Sequence, residues 1–406
     1  MSDHEQLLLV IAVIYLSDCA FWASRCAVVF RDAFLAGKYR IAHASTLLGT
    51  DRGGVVWRNP LPPFGMTVVC PDRPISLNAE YAYAYTSASA LFGGRPDHGG
   101  RIVALDEVKS VKVDGKDVLV NGGPFVRADS HAQARKLASS LDRIAGLPKA
   151  KRAGAIEADI ESSLDTAAVE ARLAQYDQIS SNIRLVCTGL FLLLFLALPW
   201  IVLRDLLAGY WKPLLAGLVL CVMLIAVLYW RAHRVLYPED RGDRANGLAM
   251  LLLVPPAAVR ACDGLARNLV AGYDVLAVAR VVCDRESFAR LAGRVLRDLT
   301  YPARPVCPEG GSDSDSETES ERIATEARHR AGLLGHYVRF LEREGESVDA
   351  LLGAPAPDEG ALCYCPRCHE QFLLPGGECT ACGGIPLVAF PGVGSAEAEA
   401  TLRFGA

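Results

Sequence analysis

Residues 185–230 read LVCTGLFLLLFLALPWIVLRDLLAGYWKPLLAGLVLCVMLIAVLYW. Two apolar runs, 185–203 and 213–230, are separated only by a short stretch carrying Arg204, Asp205 and Lys212. At about 1.5 Å per helical residue each run reaches close to the thickness of a hydrocarbon layer of about 30 Å. So short a connection predicts a helical hairpin. Trp200, Tyr210 and Trp211 fall near one end and Tyr229 and Trp230 near the other, where interfacial aromatics belong.

Working outward, residues 7–24 form a further apolar run, LLLVIAVIYLSDCAFWAS, expected to be a first transmembrane helix. The residues before it carry no Lys or Arg, whereas Arg25, Arg31, Lys38 and Arg40 follow it and Arg231, Arg234, Arg241 and Arg244 follow the third run. Basic flanks stay on the cytoplasmic side, which predicts an outside N-terminus and a cytosolic C-terminus; Arg204 and Lys212 in the hairpin loop run against this count. The rival reading of the first run is a cleaved signal, because Leu16-Ser17-Asp18-Cys19 resembles a lipoprotein box. It lacks the positive n-region and has Asp18 where a small residue is usual. Asp18 itself reads as an interfacial acid close to Arg25.

Between the first and second runs, residues 31–148 turn to short alternating patterns. Val111–Val113 and Val118–Val120 flank an Asp114-Gly115 turn signal and predict a β-hairpin. Gly54–Arg58, Met66–Cys70 and Ile75–Thr86 also read as strands. Ser130 and Gln133 make a capping-box pattern ahead of a helix with Ala134, Leu137, Leu141 and Ile144 on one face, ended by Gly146 and Pro148. Strands followed by one amphipathic helix resemble the bacterial pleckstrin-homology-like fold, and that resemblance implies binding to a protein or lipid surface. Residues 154–183 predict one amphipathic helix that continues into the second run.

Beyond the third run, residues 247–306 predict a juxtamembrane helical region. Its run Leu248–Val254 is too short to cross a bilayer and reads as interfacial or buried, followed by a helix over Pro256–Ala279 and another after Asp284. Arg260, Arg267, Arg280, Arg285, Arg290, Arg294 and Arg297 suggest contact with anionic lipid. Residues 307–321 include the acidic low-complexity run GGSDSDSETESE, expected to be a disordered linker. A helix over 322–352 and a second hinge, GAPAPDEG, would then hold residues 361–390 on a flexible arm.

That last segment contains two CxxC pairs, Cys365-Pro-Arg-Cys368 and Cys379-Thr-Ala-Cys382. Two residues between thiols let a tight turn aim both sulfurs at one ion, and two such turns complete a tetrahedron. The residues resemble zinc-ribbon knuckles, with Gly383 in the usual place after the second pair and His369 where glycine is usual after the first. The resemblance implies a structural zinc held by Cys365, Cys368, Cys379 and Cys382, with four-thiolate iron as the alternative. The intervening QFLLPGGE predicts a hairpin with Phe372, Leu373 and Leu374 as its small core.

The 13 cysteines show no disulfide framework outside these pairs, which suits a reducing compartment, and the Ala-, Leu-, Gly- and Arg-rich composition fits a bacterial source. A formal charge of -4 gives no global attraction to nucleic acid. Within Ala361–Phe390 the sole Lys or Arg is Arg367, against Glu370 and Glu378, which disfavours phosphate binding. No HExxH, GxSxG or GxxxxGK[ST] pattern is present. The sequence thus predicts an α+β multidomain membrane protein: three transmembrane helices, a β-rich cytoplasmic domain with a capping helix, and a C-terminal zinc ribbon. The expected role is a scaffold or adaptor in a bacterial cytoplasmic membrane, binding a cytosolic protein and open to homo-oligomerisation. A redox or electron-transfer protein with a rubredoxin-like site, or a transport-complex subunit, stands as the alternative.

Overall fold

The computed structural model describes residues 6, 8–13, 75–84, 101–128, 131–204, 206–238, 240–254, 258–259, 261–266, 269–270, 272–282, 285–301, 331–382 and 384–391. Of the first apolar run, residues 8–13 are helical and the remainder lies outside the described residues, as do the strands expected at 54–58 and 66–70 and the acidic run. The chain divides into two units, Met1–Ser287 and Phe288–Ala406.

The first unit opens with two small antiparallel sheets. β1 (Ile75–Leu77), β2 (Tyr81–Ala84) and β3 (Arg101–Ala104) pair in that order. β4 (Val111–Asp114), β5 (Asp117–Val120) and β6 (Gly123–Arg127) form the second, with Val111 opposite Val120 and Gly115 at φ +60° in the turn. A left-handed backbone there favours glycine, as the Asp-Gly signal implies. Within the stretch 75–86, read as one strand, residues 75–84 form a hairpin instead. Asn78 turns it, its Oδ1 accepting from the amides of Glu80 at 2.8 Å and Tyr81 at 2.6 Å.

Helix α1 (His131–Ala145) closes the sheets, burying Ala134, Ala138, Leu141 and Ile144 against Ala82, Leu105, Val118, Val120 and Phe125. Ser130 of the expected capping box lies outside the described residues. The C-terminal carbonyls of α1 find a partner in Arg152 of α2 (Lys149–Ser163), which donates to the carbonyl oxygens of Ala145 and Leu147 and pairs with Asp106 at 2.7 Å. This settles backbone groups that the helix itself leaves unbonded.

The single helix expected over 154–183 is broken at Leu164–Asp165. Asp165 accepts from the amide of Ala168 and starts α3 (Thr166–Leu192), a short polar side chain winning over continued periodicity. α3 continues through a π-type turn at Leu193–Ala197 into α4 (Leu198–Leu203). The π turn lies just ahead of Pro199, whose ring would clash with the Phe195 carbonyl in a regular α-helix. After a tight connection comes α5 (Leu207–Leu236).

Thr166–Leu203 and Gly209–Leu236 are both long and apolar enough to cross a bilayer; among the described residues these are two such helices. Cys187, Leu190, Leu194 and Leu198 on the first and Val222, Ile225, Ala226 and Tyr229 on the second are buried. Gly217 lets the two approach, since a Cβ there would meet Leu193 Cδ1 at 3.3 Å. The outer faces leave Leu185, Leu196, Leu203 and Leu220 between 60% and 75% exposed.

α6 (Arg241–Leu253), α7 (Ala261–Ala266) and α8 (Val275–Val282) complete the first unit. The continuous basic helix expected over 256–279 is therefore corrected: Gly272 takes φ +90° and Asp274 accepts from the amide of Leu276, starting α8 afresh. Leu276, Ala277, Val278 and Ala279 are all buried, so α8 is a core helix and presents no lipid-facing stripe.

α9 (Arg285–Thr300) crosses the boundary and belongs, from Phe288, to the second unit. The helix expected over 322–352 is divided there into α10 (331–343) and α11 (Val348–Leu352). Gly345 at φ +79° ends the first, and Ser347, accepting from the Ala350 amide, starts the second.

Candidate metal centre

The second unit ends in two short hairpins, each carrying one CxxC pair at its turn. β7 (Cys363–Tyr364) pairs with β8 (Gln371–Phe372), and Cys365-Pro366-Arg367-Cys368 forms the turn between them. The Cys365 amide donates to the Glu370 carbonyl and the His369 amide to the Cys365 carbonyl, both at 2.9 Å. His369 is forced to φ +63°, which explains why glycine usually stands there.

β9 (Glu378–Cys379) and β10 (Ile385–Pro386) form the second hairpin, with a 3-10 turn over Thr380–Cys382. Its closing bond runs from the Gly384 amide to the Cys379 carbonyl at 3.0 Å, with Gly384 at φ +80°. Gly383, which the sequence singles out, lies outside the described residues. β11 (Val388–Ala389) returns to pair with β7. QFLLPGGE is therefore not a hairpin of its own; it links two hairpins that lie in different sheets.

These turns bring the Sγ atoms of Cys365, Cys368, Cys379 and Cys382 within 4.8 Å of one another, with Cys368 and Cys379 3.8 Å apart. The cluster could hold a metal ion, and four thiolates from paired turns suit tetrahedral zinc or iron. Phe372, Ile385, Leu387 and Tyr301 pack around the sulfurs. Tyr364 is buried against Phe390 with ring centroids 4.9 Å apart. Leu373 and Leu374, expected in the core, are 72% and 65% exposed.

Burial pushes the Cys368 thiol up to about 11, helped by neighbouring Cys365, and burial raises Cys382 as well. Burial also pushes Cys365 up, but backbone amides of Cys368 and Arg367 and the thiols of Cys368 and Cys379 outweigh it, leaving Cys365 below its ordinary value. Of Cys365, Cys368 and Cys382, Cys365 is thus the readiest to act as a thiolate. Burial, with the Arg297 charge nearby, lowers His369 to about 4, so its ring is neutral at pH 7. Cys363 donates to the Leu374 carbonyl at 2.8 Å and stands outside the cluster.

The largest feature that local reading misses is α9. Arg297 donates to the carbonyls of Arg367 and Leu351, each at 3.1 Å, and Arg367 pairs with Asp298 at 2.9 Å. Gly293 makes room, since a Cβ there would lie 3.0 Å from the Leu351 oxygen. The metal module is therefore clasped by a helix that precedes the acidic run, which corrects the expectation of a ribbon held on a flexible arm. It also takes Arg297 away from any lipid surface. Within α9, the run of apolar residues Phe288, Leu291 and Leu296 facing inward was the one available signal that this helix packs on protein.

Among the described residues, no second group of His, Cys, Asp or Glu offers a comparable metal-holding arrangement. No protein-family model, curated protein or solved structure matches the chain.

Proposed function

We propose that the chain is a membrane-anchored scaffold or adaptor whose C-terminal module carries a structural zinc and is presented to a cytosolic protein partner. The observation that carries the reading is the four-sulfur cluster itself. Four thiolates fill the coordination shell of zinc and leave no position for water or substrate, so the ion stabilises the fold and takes no part in hydrolysis. The exposed apolar faces of the two long helices, bounded by Trp200, Tyr210 and Trp211 at one end, support membrane insertion. The basic-flank count supports a cytosolic C-terminus, in a compartment that keeps thiols reduced.

Partner class follows from what the ribbon exposes. Its one cation, Arg367, is engaged by Asp298, whereas Leu373, Leu374 and Val388 stand open. A surface without free cations and with exposed leucines fits protein better than phosphate. The two small sheets closed by α1 support a pleckstrin-homology-like reading of the middle region, a second surface-binding module.

Elemental analysis of the purified full chain tests the ion: one zinc per chain is expected, whereas stoichiometric iron with visible thiolate-to-iron absorption selects the electron-carrier reading. Co-purification from the membrane fraction tests the partner. Wild type should recover a cytosolic protein that the doubly substituted Leu373→Ser, Leu374→Ser chain does not. Equal recovery by both chains sinks the proposed contact.

A further inference from the structure

We infer that α6 and α7 build a re-entrant wedge that dips into the cytoplasmic leaflet and places Met250, Leu252 and Leu253 of α6 against lipid acyl chains. The inference rests on the membrane reading of α3–α5. α6 starts at Arg241, five residues after α5 ends, and packs back along it as an antiparallel neighbour. The contact at Gly247 fixes the level, because a Cβ there would lie 2.2 Å from the Tyr229 hydroxyl. Six residues further along each helix, Leu253 comes level with Met223, inside the apolar run of α5.

A second, independent contact gives the same depth. Beyond α6 the backbone reaches Ala258, whose carbonyl accepts from the Cys187 thiol at 3.4 Å. Cys187 lies three residues past Arg184, about 4.5 Å along the helix and within the apolar stretch. The chain then turns back. The Cys262 carbonyl accepts from the Tyr176 hydroxyl at 3.1 Å, and the Leu265 carbonyl from the Tyr237 hydroxyl at 2.6 Å, both on the cytosolic side of that level.

The tip has the chemistry that such a position demands. Residues 248–259, LAMLLLVPPAAV, contain no ionisable group. Met250, Leu252 and Leu253 are 55%, 47% and 78% exposed, while Leu251, Ala258 and Val259 are buried against the helices. Backbone that leaves the helix at membrane depth survives only where protein covers it, and Val259, a turn residue 1% exposed, meets that condition beside buried Ala258. The outward apolar side chains continue the exposed face of α5 at Met223, Leu224 and Val227, and that continuity identifies acyl chains as the occupant. The sequence run is too short to span, but a wedge entering and leaving on one side needs only half the thickness.

A photoreactive benzophenone amino acid placed at position 253 tests this in the full chain reconstituted in vesicles of unsaturated phosphatidylcholine. Position 220, on the exposed face of α5, serves as the membrane reference and position 374, on the ribbon, as the aqueous one. Lipid adducts by mass at 220 and 253, with none at 374, are expected. Adducts at 220 but none at 253, or only protein adducts at 253, overturn the wedge while leaving the membrane reading in place. Absence of lipid at 220 overturns both.

Discussion

At the scale of single residues, His369 and the four thiols carry the sharpest expectations. A side chain at φ +63° costs about 1–2 kcal/mol relative to glycine, and a β-branched one costs more. His369→Gly should therefore retain the metal and raise the thermal midpoint of the ribbon, whereas His369→Val should lower it; calorimetry of the zinc-loaded chain reads both. Cys379→Ser removes one ligand of a closed shell, and the metal content should fall from one per chain to near zero. The loss is large because binding to such sites contributes about 10–16 kcal/mol of folding energy. Metal-loaded chain must lose stability as pH falls, because protons compete with the ion for sulfur. The denaturant midpoint of the ribbon should therefore fall between about pH 8 and about pH 5, and a midpoint that does not move over that range would falsify the assignment.

Among the elements, α9 is the one whose role depends on distant sequence. Arg297 and Arg367 are 70 positions apart, so no local pattern announces their contact, whereas the CxxC pairs were legible because their geometry is set within four residues. Helix breaks escaped for a related reason. The apolar periodicity continues past Asp165, Asp274 and Ser347, and only the competition of these side chains for free amides ends one helix and starts another. Leu373 and Leu374 misled by composition: without strand register, apolar residues beside Phe372 read as core. Arg297→Met should leave two part-buried carbonyls without their donor and cost about 1–3 kcal/mol, leaving metal content unchanged. Hydrogen exchange should then quicken across residues 361–391 and not across α1. In the first unit, Leu141→Ala opens a cavity in the core of α1 and the sheets, with an expected loss of about 2–5 kcal/mol measured by urea unfolding.

For the whole molecule, the hairpin of two long apolar helices was plain in the sequence, since hydropathy over some twenty residues needs no tertiary information. The full chain should stay with membranes through an alkaline carbonate wash, and a chain lacking residues 185–230 should be released from them if no other segment anchors it. The clasp of α9 on the ribbon has a further outcome for how the chain tolerates cutting. Residues 302–330 join two pieces, α9 and the α10-to-ribbon segment, that belong to one unit, so the covalent link between them is redundant once that unit has formed. A protease site engineered into 307–321 should yield a C-terminal fragment that remains in the membrane pellet after cleavage and leaves it when zinc is stripped. The metal module would then behave as a subunit held by its own fold.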